Sequence, residues 1–429
     1  MMCRAAALLL LSLASPAAAQ APQCGGAQAS LCSEVARLLA RPEVRAAFAA
    51  AEGGRERARQ DLITLTQIPA APFGEAARGR AFAALLRAAG ADSVYVDSVG
   101  NVIALRRGLG GGRTVVLAGH LDTVFPEGTD VTVRQRGDTL FAPGVGDDTR
   151  GLVVVLEALR ALEAAKVETR ADVLFVGTVG EEGLGDLRGV KHLFRAGGPR
   201  IDAFIGIDGG SDAEITHQAL GSVRYRVHLR GPGGHSWGAF GTANPIHAAG
   251  RAVALFAEAA AAAIASGPRT SFNVGRIEGG TSINSIPFEA WFETDMRSES
   301  PEALQRVDSI FSASMLRALA DENRSATRGD SLTIVLERVG TRPSGETPTS
   351  APLLQRALAA TALLGHSPEL GRSSTDANLP ISRGVPAITI GRGGEGGNTH
   401  APEEWWRDVE SHVAVQRALL ILLAEVGLD

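Results

Sequence analysis

The sequence predicts an α/β protein with a mostly parallel sheet, into which a smaller ferredoxin-like α+β unit is inserted. Three observations predict this fold class. Short apolar strand patterns alternate with helical patterns over most of the chain, which is typical of parallel sheets with covering helices. The rhythm changes near residue 215 to a β-α-β-β-α-β order and returns after residue 342. At 429 residues the chain also exceeds the size at which one hydrophobic core stops growing.

The composition excludes some classes of function. The formal net charge is -5 and no long basic run is present, so a nucleic-acid partner is not expected. A hydrophobic content of 45% can build a folded core, and 51 glycines fit an α/β protein with many tight turns.

The first 19 residues have the pattern of a signal peptide. Arg4 supplies a positive charge, residues 5–14 are apolar, and Ala17, Ala18 and Ala19 form a small-residue cleavage site. The apolar run is too short for a membrane-spanning helix. Export to the periplasm or to the outside of the cell is therefore predicted, with an uncleaved anchor as the alternative.

Cys24 and Cys32 are the two cysteines that would remain after cleavage. In an oxidising compartment they are expected to form a disulfide that closes a small loop. Two free thiols in a flexible N-terminal tail are the alternative.

Residues 20–214 are predicted to form helices followed by an alternating α/β segment. Each predicted strand is a short run of β-branched and apolar residues bounded by turn formers. The elements are two helices within 33–66 separated at Pro42, a helix over 76–89, two strands turning at Gly100-Asn101, a strand over 114–118, a helix over 151–165, a strand over 171–178, a further helix, and a strand over 203–207.

Residues 215–342 are predicted to form the inserted unit. Its elements are strands over 222–229, 271–278, 288–297 and 331–339 and helices over 244–266 and 301–323. A helix over 353–364, a strand over 385–390 and a last helix from Val409 then resume the first pattern. Residues 20–214 and 343–429 are therefore expected to form one domain.

Acidic residues and histidines follow several of the predicted strands or lie in Gly-rich loops. They are His120 and Asp122 after the strand at 114–118, Asp147 before the next helix, Glu181 and Glu182 after the strand at 171–178, Asp208 after the strand at 203–207, and His400 in a late loop. In an open α/β sheet, the carboxyl ends of the strands form the crevice where ligands bind.

Several carboxylates in one crevice would repel each other and raise each other's pKa. Divalent cations remove that repulsion, and mixed imidazole and carboxylate ligation suits zinc with an open position for water. Taken singly, His120 with Asp122 also fits a strand-end histidine bonded to a neighbour, and Asp147 fits a helix cap. Together the residues favour a metal site.

The sequence from about Asp61 to its end resembles the dinuclear-zinc exopeptidases and deacylases, a family that includes glutamate carboxypeptidase, peptidase T and acetylornithine deacetylase. The motifs that carry the resemblance are Gly-His120-Leu-Asp122-Thr-Val, Gly-Val-Gly-Asp147-Asp, Glu181-Glu182-Gly, Asp208, Gly234-His235-Ser236, Gly279-Gly-Thr-Ser-Ile-Asn284-Ser-Ile-Pro287, Ser374-Thr-Asp376-Ala and His400. Thr149 departs from the pattern, because many relatives have Lys there.

The resemblance implies two Zn²⁺ ions, with Co²⁺ or Mn²⁺ as alternatives. Asp147 would bridge the two metals. His120 and Asp208 would complete one metal site, and Glu182 and His400 the other.

The resemblance also implies roles for residues around the metals. Glu181 would be the general base, and Asp122 the carboxylate behind the first histidine. The inserted unit would be a lid and dimerisation domain of a homodimer, and His235 would reach the substrate carbonyl from the partner subunit as an oxyanion donor. Asn284 and Arg342 would receive a substrate carboxylate. The alternatives are a role in a turn for His235, in a β-bulge for Asn284 and in a surface ion pair for Arg342.

The implied function is hydrolysis of the amide bond of small peptides by an exported metal-dependent exopeptidase, with a water molecule shared by the two cations. Deacylation of N-acyl amino acids by the same mechanism is the alternative activity. A non-catalytic binding protein is the alternative class, but all five ligand positions and the base are present, which favours an enzyme.

Overall fold

The computed structural model describes residues 24–110 and 112–429, so the predicted signal peptide, residues 1–19, lies outside the described residues. In chain order the helices are α1 (Ala29–Leu39), α2 (Pro42–Gly53), α3 (Arg55–Thr66), α4 (Ala76–Ala88), α5 (Thr149–Ala164), α6 (Arg188–Leu193), α7 (Pro245–Ala263), α8 (Pro301–Ser325), α9 (Pro352–Leu363), α10 (Asn378–Ser382) and α11 (His412–Val426), with a 3₁₀ turn at Gly183–Gly185. The strands are β1 (Ser93–Val96), β2 (Val102–Arg106), β3 (Thr114–His120), β4 (Arg134–Arg136), β5 (Thr139–Phe141), β6 (Asp172–Thr178), β7 (Ala203–Ile207), β8 (Glu214–Ala219), β9 (Gly221–Arg230), β10 (Gly234–His235), β11 (Thr270–Gly279), β12 (Ser285–Ile286), β13 (Glu289–Ser298), β14 (Thr333–Arg342), β15 (Gly345–Glu346), β16 (Glu369–Ser373), β17 (Ala387–Ile390), β18 (Glu395–Gly397) and β19 (Trp405–Arg407).

The large sheet has parallel strands at its centre. β6, β3, β7 and β17 lie side by side in that order, and each neighbouring pair is parallel. β2 and β1 extend one edge with antiparallel pairing, and β8, with β15 and β16, extends the other edge. The apolar residues of the central strands are buried, as expected for strands that helices cover on both faces. The predicted α/β class is confirmed.

Helices cover both faces of this sheet. α1 to α5, α9 and α11 share one hydrophobic core with it, and α6 and α10 share a second core on the other side. α5 is buried over most of its length because it lies between β3 and the helices α2, α3 and α11. The loop that enters α5 is therefore held by a rigid element. At the N-terminal end, Cys24 and Cys32 form the predicted disulfide.

The inserted unit, from Gly221 to Arg342, is called the lid below. Its sheet is antiparallel with the strand order β11-β13-β9-β14, and α7 and α8 pack on one face. With the chain order β9-α7-β11-β13-α8-β14, this is the predicted ferredoxin-like arrangement. Alternate residues of β9 from Val223 to Leu229 enter the lid core, and those between are polar or charged on the open face. α7 is the described helix that has the length and composition to span a membrane, and here it packs against α8.

Some elements differ from the prediction. Residues 33–66 form parts of three helices instead of two, because a second break falls at Gly53-Gly54 after the expected break at Pro42. β8 was not predicted. All of it except Glu214 lies in the range 215–342 assigned to the inserted unit, yet it pairs with β17 of the large sheet. A small sheet of β4, β5, β19 and β18 was not predicted either. Strands of two or three residues are too short to show a periodic pattern.

Candidate metal centre

The ends of three neighbouring parallel strands place the predicted residues at one edge of the large sheet. His120 is the last residue of β3, Glu181 and Glu182 follow β6, and Asp208 follows β7 directly. His120 and both glutamates are buried, and Asp208 is half-buried. Because these strands run in the same direction, their ends open into one crevice.

Asp147 lies between two histidines that are distant in sequence. Its Oδ1 is 3.2 Å from Nε2 of His120, and its Oδ2 is 3.1 Å from Nε2 of His400. The same nitrogen of His400 is 3.1 Å from Oε1 of Glu182. The structure thus brings together residues from β3, the loop before α5, the loop after β6 and the loop after β18.

Three sets of side chains have potential donor atoms within 4.8 Å of one another. The sets are His120 with Asp147, Asp148 and Asp208; His120 with Glu181 and Glu182; and Asp147 with Glu182 and His400. Imidazole nitrogens and carboxylate oxygens at this spacing fit zinc or another divalent cation. Asp147 belongs to the first and third sets, as a carboxylate shared by two cations would.

Asp122 supports the site through the backbone as well as through His120. Its carboxylate accepts hydrogen bonds from the N–H groups of Glu181 at 3.0 Å and Glu182 at 2.8 Å. Nδ1 of His120 lies 2.9 Å from the carbonyl oxygen of Asp122 and 3.7 Å from its Oδ1. The fully buried carboxylate therefore joins the end of β3 to the loop that carries both glutamates.

The acids of the cluster are unfavourable as buried anions. Burial raises the pKa of Asp208 well above its usual range, and the charge of Asp147 adds to this rise. Burial likewise raises the pKa of Glu181 to about 7, although Arg342 opposes the rise. A cation in the cleft would reverse this penalty, because it stabilises the charged form of each carboxylate.

The histidines compensate the central aspartate. Burial alone would raise the pKa of Asp147, but hydrogen bonds from His120 and His400 lower it far below the usual range. In return, hydrogen bonds to Asp147 and Glu182 raise the pKa of His400 to about 10. Protonated rings of His120 and His400 would bring positive charge to Asp147. A divalent cation would bring the same sign of charge when both imidazoles are neutral ligands.

Arg342 lies beside Glu181 at the end of β14. Its Nη1 donates to Oε1 of Glu181 at 2.8 Å and to Oγ of Ser374 at 3.1 Å, and its Nη2 donates to the Glu181 carbonyl oxygen. The Arg342 side chain is buried and also lines the cleft. Its guanidinium therefore makes hydrogen bonds within the protein at the edge of the cavity.

His235 and Asn284 lie apart from the other predicted residues, next to each other on the lid. β10 pairs with β12, and the N–H of Ser236 donates to the Asn284 carbonyl oxygen at 2.9 Å. Both side chains are exposed, and neither lines the cavity that the described residues form. Nδ1 of His235 accepts hydrogen bonds from the N–H groups of Trp237 and Gly238, which fixes the ring on the surface.

Comparison with known proteins decides the family. The profile of Peptidase family M20/M25/M40 matches residues 116–425. The chain belongs to this family.

Relatives and solved structures agree with that assignment. Succinyl-diaminopimelate desuccinylase of Leptothrix cholodnii is 33% identical over 229 residues, which are 48% of this chain and 59% of the relative. The aminopeptidase PepT of Bacillus cereus has a similar fold, with a TM-score of 0.65 at 21% identity over 86% of this chain and 98% of its own. The YXEP protein of Bacillus subtilis, a dinuclear metal binding peptidase from the M20 family, has a TM-score of 0.61 at 19% identity over 88% of this chain and 100% of its own. The chain is thus a metallopeptidase or amidohydrolase of this family.

Glu404 supports the loop that carries Asp147, and no motif in the sequence indicated it. Its carboxylate accepts hydrogen bonds from the N–H groups of Gly144, Gly146 and Asp147 at 2.7, 2.9 and 2.8 Å. The side chain is buried, and it joins the loop after β18 to the loop before α5. A single glutamate in a loop has no periodicity or spacing that marks it, so its role was visible only in three dimensions.

Asp148 also supports the site, through the backbone of His120. It is the last residue of the motif Gly-Val-Gly-Asp147-Asp, for which no separate role was predicted. Its Oδ2 accepts the N–H of His120 at 3.0 Å, and burial raises its pKa well above the usual range. The carboxylate fits because Gly119 and Gly151 lie against it: a Cβ on Gly151 would be 2.1 Å from its Oδ1. These glycines are therefore required by packing around the site.

The family site opens into a cavity of about 310 Å³. Its lining combines carboxylates and His400 of the cluster with arginines from both domains: Asp147, Glu181, Glu182, Asp208 and His400, together with Arg224, Arg297, Arg342 and Arg372. The volume suits a small substrate, and the polar lining suits a charged one.

Proposed function

We propose that the protein is an exported exopeptidase that hydrolyses the amide bond of small peptides with two divalent cations, Zn²⁺ in the first instance. The observation that carries the proposal is Asp147, which directs one carboxylate oxygen toward His120 and the other toward His400. A carboxylate shared in this way is what two neighbouring cations need as a common ligand.

The proposed ligands are those that the family resemblance implies, and the first and third sets of neighbouring donor atoms support them. Asp147 would be shared, His120 and Asp208 would complete one metal site, and Glu182 and His400 the other. Co²⁺ and Mn²⁺ are alternatives to zinc, since imidazole and carboxylate ligands accept them as well.

The two cations would polarise the amide carbonyl and acidify a water molecule. Glu181 is proposed to take the proton of the attacking water and to deliver it to the leaving nitrogen. Its carboxylate lines the cavity, and Arg342 holds Oε1 at 2.8 Å, so the side chain has a defined orientation. Asp122 positions Glu181 and Glu182 by accepting both of their backbone N–H groups.

Deacylation of N-acyl amino acids is the second candidate activity. The observation that favours it is the relative named succinyl-diaminopimelate desuccinylase, which is 33% identical to this chain over 229 residues. Both activities break an amide bond, so the same residues serve either one.

A homodimer is proposed because His235 is exposed on its own lid, away from the cavity. Near it, three large apolar side chains are almost fully exposed to solvent: Trp237, Phe240 and Ile283. Such a patch marks an interaction surface on a soluble protein. A second copy of the chain that covers this patch would supply its partner's site with His235 as an oxyanion donor. Asn284 and Arg342 are proposed to receive a substrate carboxylate.

Export is proposed from the signal-like N-terminus, and the Cys24–Cys32 disulfide supports it because such bonds persist in oxidising compartments. The periplasm or the exterior of the cell is the proposed location.

A substrate panel tests the activity. Purified protein is depleted of metal with a chelator and then supplied with Zn²⁺, Co²⁺ or Mn²⁺, and release of amines from dipeptides, tripeptides and N-acyl amino acids is measured. We expect no turnover after depletion and recovery with two metal equivalents per chain. Undiminished turnover in the depleted protein would contradict the proposal, and hydrolysis of N-acyl amino acids alone would select the second candidate.

A further inference from the structure

Four arginines line the cavity together with the carboxylates of the metal centre. Arg342 is engaged with Glu181, as described above. The other three are Arg224 and Arg297 on the lid and Arg372 on the large-sheet domain. Below, these three residues are called the arginine wall.

The two lid arginines share one carboxylate. Nε of Arg224 donates to Oδ1 of Asp295 at 2.8 Å, and Nε of Arg297 donates to Oδ2 at 2.7 Å. Nη1 of Arg224 also donates to the carbonyl oxygen of Gly183 at 2.7 Å, which places this guanidinium beside the loop that carries Glu182. Two guanidiniums on one carboxylate leave a surplus positive charge at this side of the cavity.

Arg372 approaches from β16 with weak charge compensation. Its Nη2 donates to Oε1 of Gln218 at 3.0 Å, and its Nη1 donates to the carbonyl oxygen of Glu299 at 3.2 Å. Both acceptors are neutral. The Glu299 carboxylate lies 3.7 Å from Nε, a longer contact than the ion pairs of the lid.

The charge balance of the cavity changes when metal binds. Four carboxylates and four guanidiniums line it, so their formal charges cancel. Two divalent cations would leave a large positive excess in a confined, partly desolvated space, where fields are stronger than in bulk water. The metal-loaded cavity would therefore attract an anionic substrate.

We propose that the arginine wall binds an additional carboxylate of the substrate, so that the preferred substrate is the amide of an acidic amino acid, with two carboxylates. This inference rests on the proposed amide hydrolysis at the metal centre. A guanidinium fork pairs with one carboxylate in a bidentate geometry. The wall has three such forks in addition to Arg342, from two domains, which exceeds what a single terminal carboxylate can occupy. Arg224 and Arg372 are the specificity-determining residues of this subsite.

Arg226 provides a matched control. It lies on the same face of β9, two residues from Arg224, and Nε donates to Oε1 of Glu293 at 2.9 Å. It thus makes the same kind of ion pair along the lid sheet, but it does not line the cavity. A purely structural role of such pairs would affect Arg226→Gln and Arg224→Gln alike.

The experiment compares matched acids and amides. Equilibrium binding of N-acetylglutamate, N-acetylglutamine and the α-amide of N-acetylglutamate is measured by calorimetry on zinc-supplemented Glu181→Gln protein, in which turnover is slow. The same titrations are made after adding Arg224→Gln, Arg372→Gln, Arg372→Lys or Arg226→Gln. Turnover of glycyl-glutamate and glycyl-glutamine is measured for the same arginine variants with Glu181 intact, and the melting temperature is recorded for each protein.

We expect the acid to bind at least about tenfold more tightly than the side-chain amide. Arg224→Gln and Arg372→Gln should each reduce acid binding by a factor on the order of ten to a hundred and leave amide binding unchanged, as for loss of a hydrogen bond to a charged group. Arg372→Lys should recover part of the loss, and Arg226→Gln should have no effect.

Equal binding of the acid and the side-chain amide would overturn the inference. A preference set by the terminal carboxylate alone would also overturn it, as would an equal loss of acid affinity in Arg226→Gln. Its failure is distinguishable from that of the proposed function. Hydrolysis without acid preference refutes the arginine wall and leaves the hydrolase. Acid binding that depends on Arg224 and Arg372, without hydrolysis of any substrate, refutes the hydrolase and leaves the arginine wall.

Discussion

Glu181 and Glu182 are adjacent residues with different surroundings. Glu182 contacts His400 at 3.1 Å, within one of the sets of potential metal donors, whereas Glu181 is held by Arg342 at 2.8 Å. Both backbone N–H groups are tied to Asp122, so the backbone is rigid and consecutive side chains can diverge. These surroundings support the proposal that Glu182 ligates a metal and Glu181 transfers the proton.

Substitution of each glutamate by glutamine separates these roles. Glu181→Gln should keep both metals and lose about 10²–10⁴-fold of turnover, since a positioned general base contributes that much. Glu182→Gln should lower metal occupancy together with turnover, because an amide oxygen is a weaker ligand than a carboxylate. Metal content and turnover are measured on the same preparations. Loss of metal in Glu181→Gln with full occupancy in Glu182→Gln would reverse the assignment.

Glu404 is expected to control the position of Asp147. In Glu404→Gln one carboxylate oxygen becomes an amide nitrogen, which cannot accept a hydrogen bond from Gly144, Gly146 or Asp147. A buried N–H without an acceptor costs about 1–3 kcal/mol, and groups that orient a metal ligand are worth about 10–100-fold in metal affinity. We expect losses of this size in the free energy of unfolding and in zinc affinity. Glu403→Gln, at the exposed neighbouring position, is the control, and an equal effect there would refute the role of Glu404.

At the scale of elements, α1 is joined to the rest of the large-sheet domain by packing and by one covalent bond at its start. It contacts α9 and α11, and the disulfide joins Cys24, before the helix, to Cys32 within it. The bond closes a short loop, and neither cysteine lines the cavity of the metal centre, so the bond is expected to affect stability and not catalysis.

The disulfide is tested by thiol counting and by substitution. Denatured, non-reduced mature protein should show no free thiol, since Cys3 would leave with the signal peptide. Cys24→Ser with Cys32→Ser should lower the free energy of unfolding by at most about 2–3 kcal/mol, the chain-entropy value for so short a loop, with unchanged turnover. Two free thiols in the mature protein would contradict the prediction. Ser33→Ala, beside Cys32 on the exposed side of α1, serves as the control for stability.

At the scale of the whole molecule, one chain brings the metal-site residues together but holds His235 away from them. The cavity is lined by residues of both domains, whereas His235 lies in β10 on the exposed surface of the lid. This position is the reason for proposing that a second copy supplies His235 to the site as the oxyanion donor. In a two-fold dimer, each lid would serve the site of its partner.

Mixed dimers test this arrangement. Asp147→Ala removes the shared ligand and His235→Ala removes the donor, so each homodimer should be nearly inactive. Heterodimers keep one intact combination, and a fully exchanged equal mixture should regain about a quarter of wild-type turnover by two-fold symmetry. Exchange is shown separately with two different affinity tags. Proven heterodimers without activity would refute the role in trans.

Much of the fold could be predicted because its signals are local. The apolar run at 114–118 indicated β3, and the predicted element order from Ser222 to Val339 matched the lid strands and helices closely. The elements that were missed, such as β8 and β15, are short or follow from pairing with a strand distant in sequence. Pairing of this kind leaves no periodic pattern in the strand itself.

The sequence by itself determined the longer strands of the sheet centre and the lid, the acids that follow the central strands, and the family resemblance, because each depends on residues close together in the chain. Only the tertiary structure decided which groups meet. It placed Asp147 between two histidines, bonded Glu404 to the loop before α5, and brought Arg224 and Arg372 to the lining of one cavity. It also held Arg342 against Glu181 and left His235 on the surface. These contacts join residues far apart in the chain, and they exist only once the sheet, the helices and the lid have packed together.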